Sequence, residues 1–269
     1  MSQPERNLLF KSLNSLLIIT NDIEAITHSH HALQVTISMD APFNFQCKKE
    51  QGVFQGVIIG ADIEHSLQGL KGQYVTLLLD PELHPVKHIL GHHQTTGFAE
   101  IDASRLKLMR DFIQLLIADQ ACEAKGIVEN PIAALMSILS QSDCQQALDA
   151  RIETVIGYIA KAEHKMADVE ELAQVVALSS GRLIHLFKQE VGIPIRRYLL
   201  WQRLLDACTY ASLHAHDELN CEGKPDMTLT DAAHQAGFTD SAHFSRTFKA
   251  MFGLHPSSFI KKSHMIQSL

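Results

Sequence analysis

The chain has 269 residues, 46% hydrophobic and 20% charged, with a formal net charge of −7. This is the composition of a folded globular protein of one large or two modest domains, and it excludes low-complexity and collagen-like chains. Apolar runs such as "SLLIIT" are too short to cross a bilayer, so no membrane partner is expected.

No charged-then-apolar leader opens the sequence. Its five cysteines, Cys47, Cys122, Cys144, Cys208 and Cys221, form no C-x-x-C pair, so reduced thiols and a cytoplasmic location are expected. The first hundred residues are strand-like. "ALQVTISMDAPFNFQCKK", "GVFQGVIIGADIEHSL" and "GQYVTLLLD" combine alternation and β-branched residues with Gly and Asp-Pro punctuation, which predicts a small sandwich or barrel. From Ser104 the period changes. Leu106, Met109, Ile113, Leu116 and Ile117 share one face of a helix ending near Ala121. A second helix, "PIAALMSILSQ", begins on Pro131 as a natural N1 residue. Everything from Asp149 reads as helical, and the domain boundary is expected near Ser142–Asp149.

The C-terminal half contains a repeat. "LFKQEVGIP" aligns with "TFKAMFGLHP", so that Phe187, Lys188 and Gly192 fall on Phe248, Lys249 and Gly253 at an offset of 61. Before them, Val169, Leu172, Ala173 and Val176 follow helical spacing, as do Leu229, Ala232, Ala233 and Ala236. Asp168 and Glu171 fit a capping box. Ala173 and Ala233 are small where two helices cross closely. Each copy is a helix, a tight turn and a second helix, the helix-turn-helix pattern. Charge supports this locally. Ser179–Arg203 holds five bases and one acid, and Ser241–Lys262 four bases and no acid, so two basic stretches sit on an acidic scaffold.

"GFTDSAHFSRTFKAMFGLHPSSF" (Gly237–Phe259) resembles the most recognisable stretch of the AraC/XylS transcription regulators, through Gly237, Phe238, Ser241, His243, Phe244, Arg246, Phe248, Lys249, Gly253 and Pro256. Leu172, Ala173, Leu178, Ser179, Leu186, Phe187, Lys188 and Gly192 carry the same resemblance in the first copy. It implies an α+β two-domain protein: an N-terminal cupin-like β-barrel with following helices over 1–142, for effector sensing and dimerisation, and a C-terminal all-α domain over 149–264 with two helix-turn-helix motifs (169–190 and 229–250) and seven helices. It further implies a regulator rather than an enzyme. Its partners would be double-stranded DNA, RNA polymerase, a small-molecule effector and a second copy of the chain in a homodimer.

At 100° per residue, Phe244, Phe248 and Phe252 form a core stripe. Ala242, Arg246 and Lys249 lie opposite, flanked by His243 and Ser245, and the hydroxyls of Ser241 and Ser245 can donate to bases or phosphates. In the first copy Gly181, His185 and Lys188 face outward, flanked by Arg182 and Gln189, with Arg196 and Arg197 just beyond. Arg246 can pair bidentately with guanine O6 and N7, whereas lysines more often meet phosphate. Two departures from the family pattern weaken the first copy: Ala177 stands where Gly is usual in the turn, and His185 where Arg is common.

The resemblance places an effector pocket at His28, His30, Gln34 and His65. Metal-binding cupins pair His-x-His with a Glu, and "HSHHALQ" lacks that Glu, so neither a metal nor a cofactor is expected. The His84, His88, His92, His93 series and the His214, His216, Asp217, Cys221 group are poorly framed for zinc. Leu106, Met109, Ile113 and Leu116 would form a dimer contact, or else pack on their own barrel. No nucleophile–base pair and no Gly-rich phosphate loop is present. The rival readings are a metal-dependent cupin enzyme with a DNA-binding tail, and a ligand-independent regulator whose N-terminal domain binds a partner protein.

Overall fold

The computed structural model describes residues 7–12, 15–21, 23–48, 50–69, 72–81, 83, 86, 89, 97–121, 130–140, 148–161, 168–214, 228–253, 255–256 and 263–268. The strands are β1 (Asn7–Ser12), β2 (Ser15–Thr20), β3 (Glu24–His28), β4 (Leu33–Ser38), β5 (Phe43–Cys47), β6 (Glu50–Phe54), β7 (Gly56–Ile59), β8 (His65–Gly69), β9 (Tyr74–Leu79) and β10 (Phe98–Glu100), with β11 (Ser263–Ser268) at the far end of the chain. They make a seven-stranded sheet, β10-β7-β4-β9-β2-β1-β11, and a four-stranded sheet, β3-β8-β5-β6. The antiparallel pairs β2·β9, β3·β8, β4·β7 and β5·β6 are nested, as in one long hairpin folded over itself. The expected barrel is therefore met as a β-rich domain of two sheets; among the described residues they do not close into one.

The larger sheet is buried on both faces, which explains why β4 shows no exposed position. Leu33, Val35, Ile37, Ile58, Leu77 and Leu79 face the helices. Val57 and Ile59 face the smaller sheet, where they pack with Phe43, Phe45, Leu67 and Tyr74. Gln34 and Thr36 pair with Ile59 and Val57 and so lie on that second face. In the smaller sheet Phe43, Phe45 and Cys47 alternate inward with exposed Asn44 and Gln46.

Eight helices follow among the described residues: α1 (Ala103–Ala121), α2 (Pro131–Ser140), α3 (Ala150–Lys161), α4 (Val169–Val175), α5 (Ser180–Val191), α6 (Ile195–His214), α7 (Leu229–Gln235) and α8 (Ser241–Phe252). Six of them, α3 to α8, fall within the expected C-terminal domain. Side chains at their starts satisfy the orphan amides of the first turn. Asp102 accepts from the amides of Ser104 and Arg105, and Asn130 from that of Ala133. Asp168 accepts from the amide of Glu171, as the expected capping box requires, while the Glu171 carboxylate takes the Tyr158 hydroxyl at 2.6 Å. A full capping box stands instead at Thr228 and Asp231.

Of the two packings expected for the apolar face of α1, a dimer contact or the chain's own barrel, the structure has the second. Leu106, Met109, Ile113 and Leu116 are buried in the chain's own core. The face assigned to a dimer is thus occupied within the chain, and among the described side chains of α1 the exposed large apolar ones are Leu108 and Leu115. Beyond the helices, β11 returns to the N-terminal domain and pairs in parallel with β1, from Asn7 against Ser263 onward.

Candidate functional site

The two copies of the helix pair are built alike. In the first, the Leu178 amide donates to the Ala173 carbonyl at 2.9 Å; in the second, the Phe238 amide donates to that of Ala233 at 2.9 Å. Ala177 turns the chain with φ 51° and Gly237 with φ 78°. Ser179 caps α5 through the Arg182 amide, and Asp240 caps α8 through that of His243. Bonding to that amide, first of all, holds the Asp240 carboxyl below its usual range. Both second helices end on a left-handed glycine, Gly192 and Gly253, which tolerate that conformation because they lack Cβ.

The apolar stripes are fully engaged. Leu183, Leu186, Phe187 and Val191 are buried on α5, and Phe244, Phe248 and Phe252 on α8. The opposite faces hold the residues singled out from sequence. Gly181, Arg182, His185, Lys188, Gln189 and Arg196 are exposed, as are Ala242, His243, Arg246 and Lys249, and Ser241 and Ser245 are half-buried. The His243 ring packs edge-on against Phe238, with centroids 5.6 Å apart. Arg197 lies elsewhere: its guanidinium donates to both oxygens of the buried Asp80 at 3.0 Å, so it braces the two domains.

The four residues assigned to an effector pocket come together. The rings of His28 and His65 have centroids 4.5 Å apart, those of His30 and His65 5.2 Å, and those of His28 and His30 5.4 Å. His30 Nε2 is 2.8 Å from Gln34 Oε1, and Gln34 Nε2 donates to Thr36 Oγ1 at 2.8 Å. Burial is the main cause that lowers the His30 pKa and takes that of His65 down to about 4, with the neighbouring rings adding to it. Both rings are therefore neutral near pH 7. The His84, His88, His92, His93 series lies outside the described residues, as do His216, Asp217, Cys221 and the side chain of His214.

Sequence reasoning missed what this cluster touches. The amides of His31 and Ala32 donate to the carbonyls of Ala250 and Met251 at 3.1 and 3.3 Å, so the β3–β4 connection caps the last turn of α8. A Cβ added at Gly253 would collide with the rings of His28 and His30.

Two helix-turn-helix units, with α6 and residues 215–227 between them in the chain, make a paired helix-turn-helix arrangement. A family model described as a helix-turn-helix domain matches residues 172–262. The chain is 28% identical over 174 residues to the arabinose operon regulatory protein of Salmonella typhimurium, covering 61% of this chain and 57% of that one. It is 27% identical over 162 residues to the transcriptional activator RhaS of an Enterobacter species, covering 58% and 54%. The chain thus spans a little over half the length of these curated relatives. Among solved structures, apo ToxT of Vibrio cholerae aligns over 94% of this chain and 98% of that one at 10% identity, with a TM-score of 0.47. Residues 172–262 are thus similar to a helix-turn-helix domain, and the relatives that share this stretch are named as regulators.

Proposed function

We propose that the chain is a sequence-specific transcription regulator rather than an enzyme, which lays α5 and α8 into successive major-groove segments of double-stranded DNA. The observation that carries this reading is the pairing of two like helices, each with its apolar face buried and its basic, polar face exposed. α6, of 20 residues, is about 30 Å long at 1.5 Å per residue, close to the ~34 Å of one DNA turn. Arg246 is assigned to base edges. Lys188, Lys249, Arg182 and Arg196 are assigned to phosphates, with Gly181, His185, Gln189, Ser241, Ala242, His243 and Ser245 lining the contact.

In this reading residues 1–142 are a cupin-like sensing and dimerisation domain and 149–264 the DNA-binding domain. The nested strand pairing supports the cupin-like assignment, because jelly rolls of that kind are double sheets. His28, His30, Gln34 and His65 form the effector site. A homodimer acting with RNA polymerase in the cytoplasm completes the proposal. No described helix is long and apolar enough to cross a membrane.

Selection of random DNA by the purified chain tests this. Enrichment of a motif with two half-sites about one turn apart is expected; no enriched sequence, with or without candidate effectors, overturns it.

A further inference from the structure

His28, His30 and His65 each offer a ring nitrogen, and the three nitrogens lie within 4.8 Å of one another. Their outer nitrogens are already committed. Nδ1 of His28 bonds the Ile26 carbonyl at 2.8 Å, Nδ1 of His30 that of Ala32 at 3.0 Å, and Nδ1 of His65 that of Ile63 at 2.8 Å. In each ring Nδ1 must donate, because a carbonyl only accepts. In His28 and His65 that leaves the neutral tautomer with its lone pair on Nε2, the arrangement by which metal-ligating histidines are oriented; in His30 the same lone pair faces Gln34 Oε1 at 2.8 Å, an acceptor-to-acceptor contact that a cation between them would relieve. Nε2 of His65 is buried and has no hydrogen-bond partner, in a side chain 1% exposed. Leaving a buried acceptor of this kind without a partner is costly, and a ligand would remove the cost. Cross-strand pairing of His28 with His65 in β3 and β8 makes the arrangement rigid.

We propose that His28, His30 and His65 bind one divalent transition-metal ion, with Gln34 Oε1 as a fourth donor, and that its occupation is transmitted to α8. The proposal rests on the reading of the N-terminal domain as a sensor and names the class of its ligand, which departs from the sequence expectation of no metal. Three imidazoles and an amide oxygen suit zinc, copper, nickel or iron(II) rather than magnesium or calcium. Tetrahedral zinc with bonds of about 2.0–2.1 Å needs nitrogens ~3.3 Å apart, so nitrogens within 4.8 Å of one another need close in by at most about 1.5 Å. Gln34 Oε1, 2.8 Å from His30 Nε2, stands where a neighbouring ligand would. Transmission follows from contact. His28 and His30 abut Gly253, the C-cap of α8, and the next two residues, His31 and Ala32, hold its terminal carbonyls. Drawing the rings together shifts the segment against which the reading helix ends.

The test uses the whole chain, stripped with chelator and titrated with Co(II) and Zn(II). One tight site per chain is expected, with the visible bands of nitrogen-bound Co(II). His28→Ala and His65→Gln should lose it and His31→Ala should keep it, since His31 pairs with Asp62 instead. Binding that survives both of the first two substitutions overturns the site. Zinc-edge absorption of the loaded wild-type chain needs no variant: imidazole scattering supports the site, and sulfur ligation or the absence of bound zinc overturns it. For transmission, affinity for a selected DNA sequence should change at least fivefold with Zn(II) in the wild type and not in His28→Ala. Equal affinity with and without Zn(II) overturns that half. A chain that binds metal as described yet enriches no DNA leaves the site standing and overturns the regulator reading alone.

Discussion

Arg246 and His185 face outward from matching helices, yet they differ in what they can read. A guanidinium carries a fixed fork of donors that fits guanine O6 and N7, whereas an imidazole has only two ring nitrogens, pointing in different directions. Arg246→Ala is expected to weaken binding to a selected operator roughly tenfold to a hundredfold and to relax the preference at one base pair. His185→Ala should weaken it less, with little change of preference. Gel-shift titrations on the selected site and its single-base variants measure both, and equal losses would remove the asymmetry. These outward residues were legible in sequence because a 3.6-residue period with phenylalanine on one side leaves little freedom for the other. Arg197 was not. Its spacing allowed a phosphate contact, and only the tertiary structure brings it to Asp80.

The turn of the first helix pair concerns an element rather than a side chain. Ala177 adopts φ 51°, as Gly237 adopts φ 78° in the second turn, although the second turn has one more residue before its cap. A non-glycine residue in the left-handed region costs about 1–2 kcal/mol, and glycine returns part of that through its greater freedom when unfolded. Ala177→Gly should therefore stabilise the chain by about 0.5–1 kcal/mol, read as a higher midpoint in urea. A lower midpoint would mean that the turn does not need this conformation. Helix pairs could be read in advance because caps, small crossing residues and the Phe-Lys repeat are local signals. β11 could not, since "SHMIQS" has neither strong alternation nor a run of β-branched residues. It is a strand because β1 offers a free edge, and parallel pairing depends on where distant segments meet. The inward face of α1 was ambiguous for the same reason: periodicity identifies an apolar stripe without saying what covers it.

Across the whole molecule, the second helix pair is seated on the β domain. Leu9, Leu16, Ile18, Ala32 and Leu78 share one apolar cluster with Trp201, Leu204, Phe248 and Phe252. Beside it, Lys11 donates to Asp206 at 2.8 Å, with side chains 9% and 12% exposed. Neither partner could have been matched from sequence, since 195 residues separate them. A buried ion pair contributes little beyond a packed apolar pair, but removing one partner takes the countercharge from the other. Lys11→Met should therefore destabilise the chain by about 3 kcal/mol, whereas Lys11→Met with Asp206→Leu should recover most of that loss. Trp201 reports on this junction directly. It is the chain's single tryptophan, fully buried, and packs edge-on against Phe252 with centroids 5.1 Å apart. Urea unfolding followed by its fluorescence gives the midpoint at the seam itself, and far-ultraviolet circular dichroism gives that of the whole chain. If the pair braces one domain on the other, the single variant moves the fluorescence midpoint down at least as far as the dichroism midpoint, and the double variant brings both back. Single and double variants equally destabilised would mean that Lys11 acts through its packed methylenes rather than through its charge opposite Asp206.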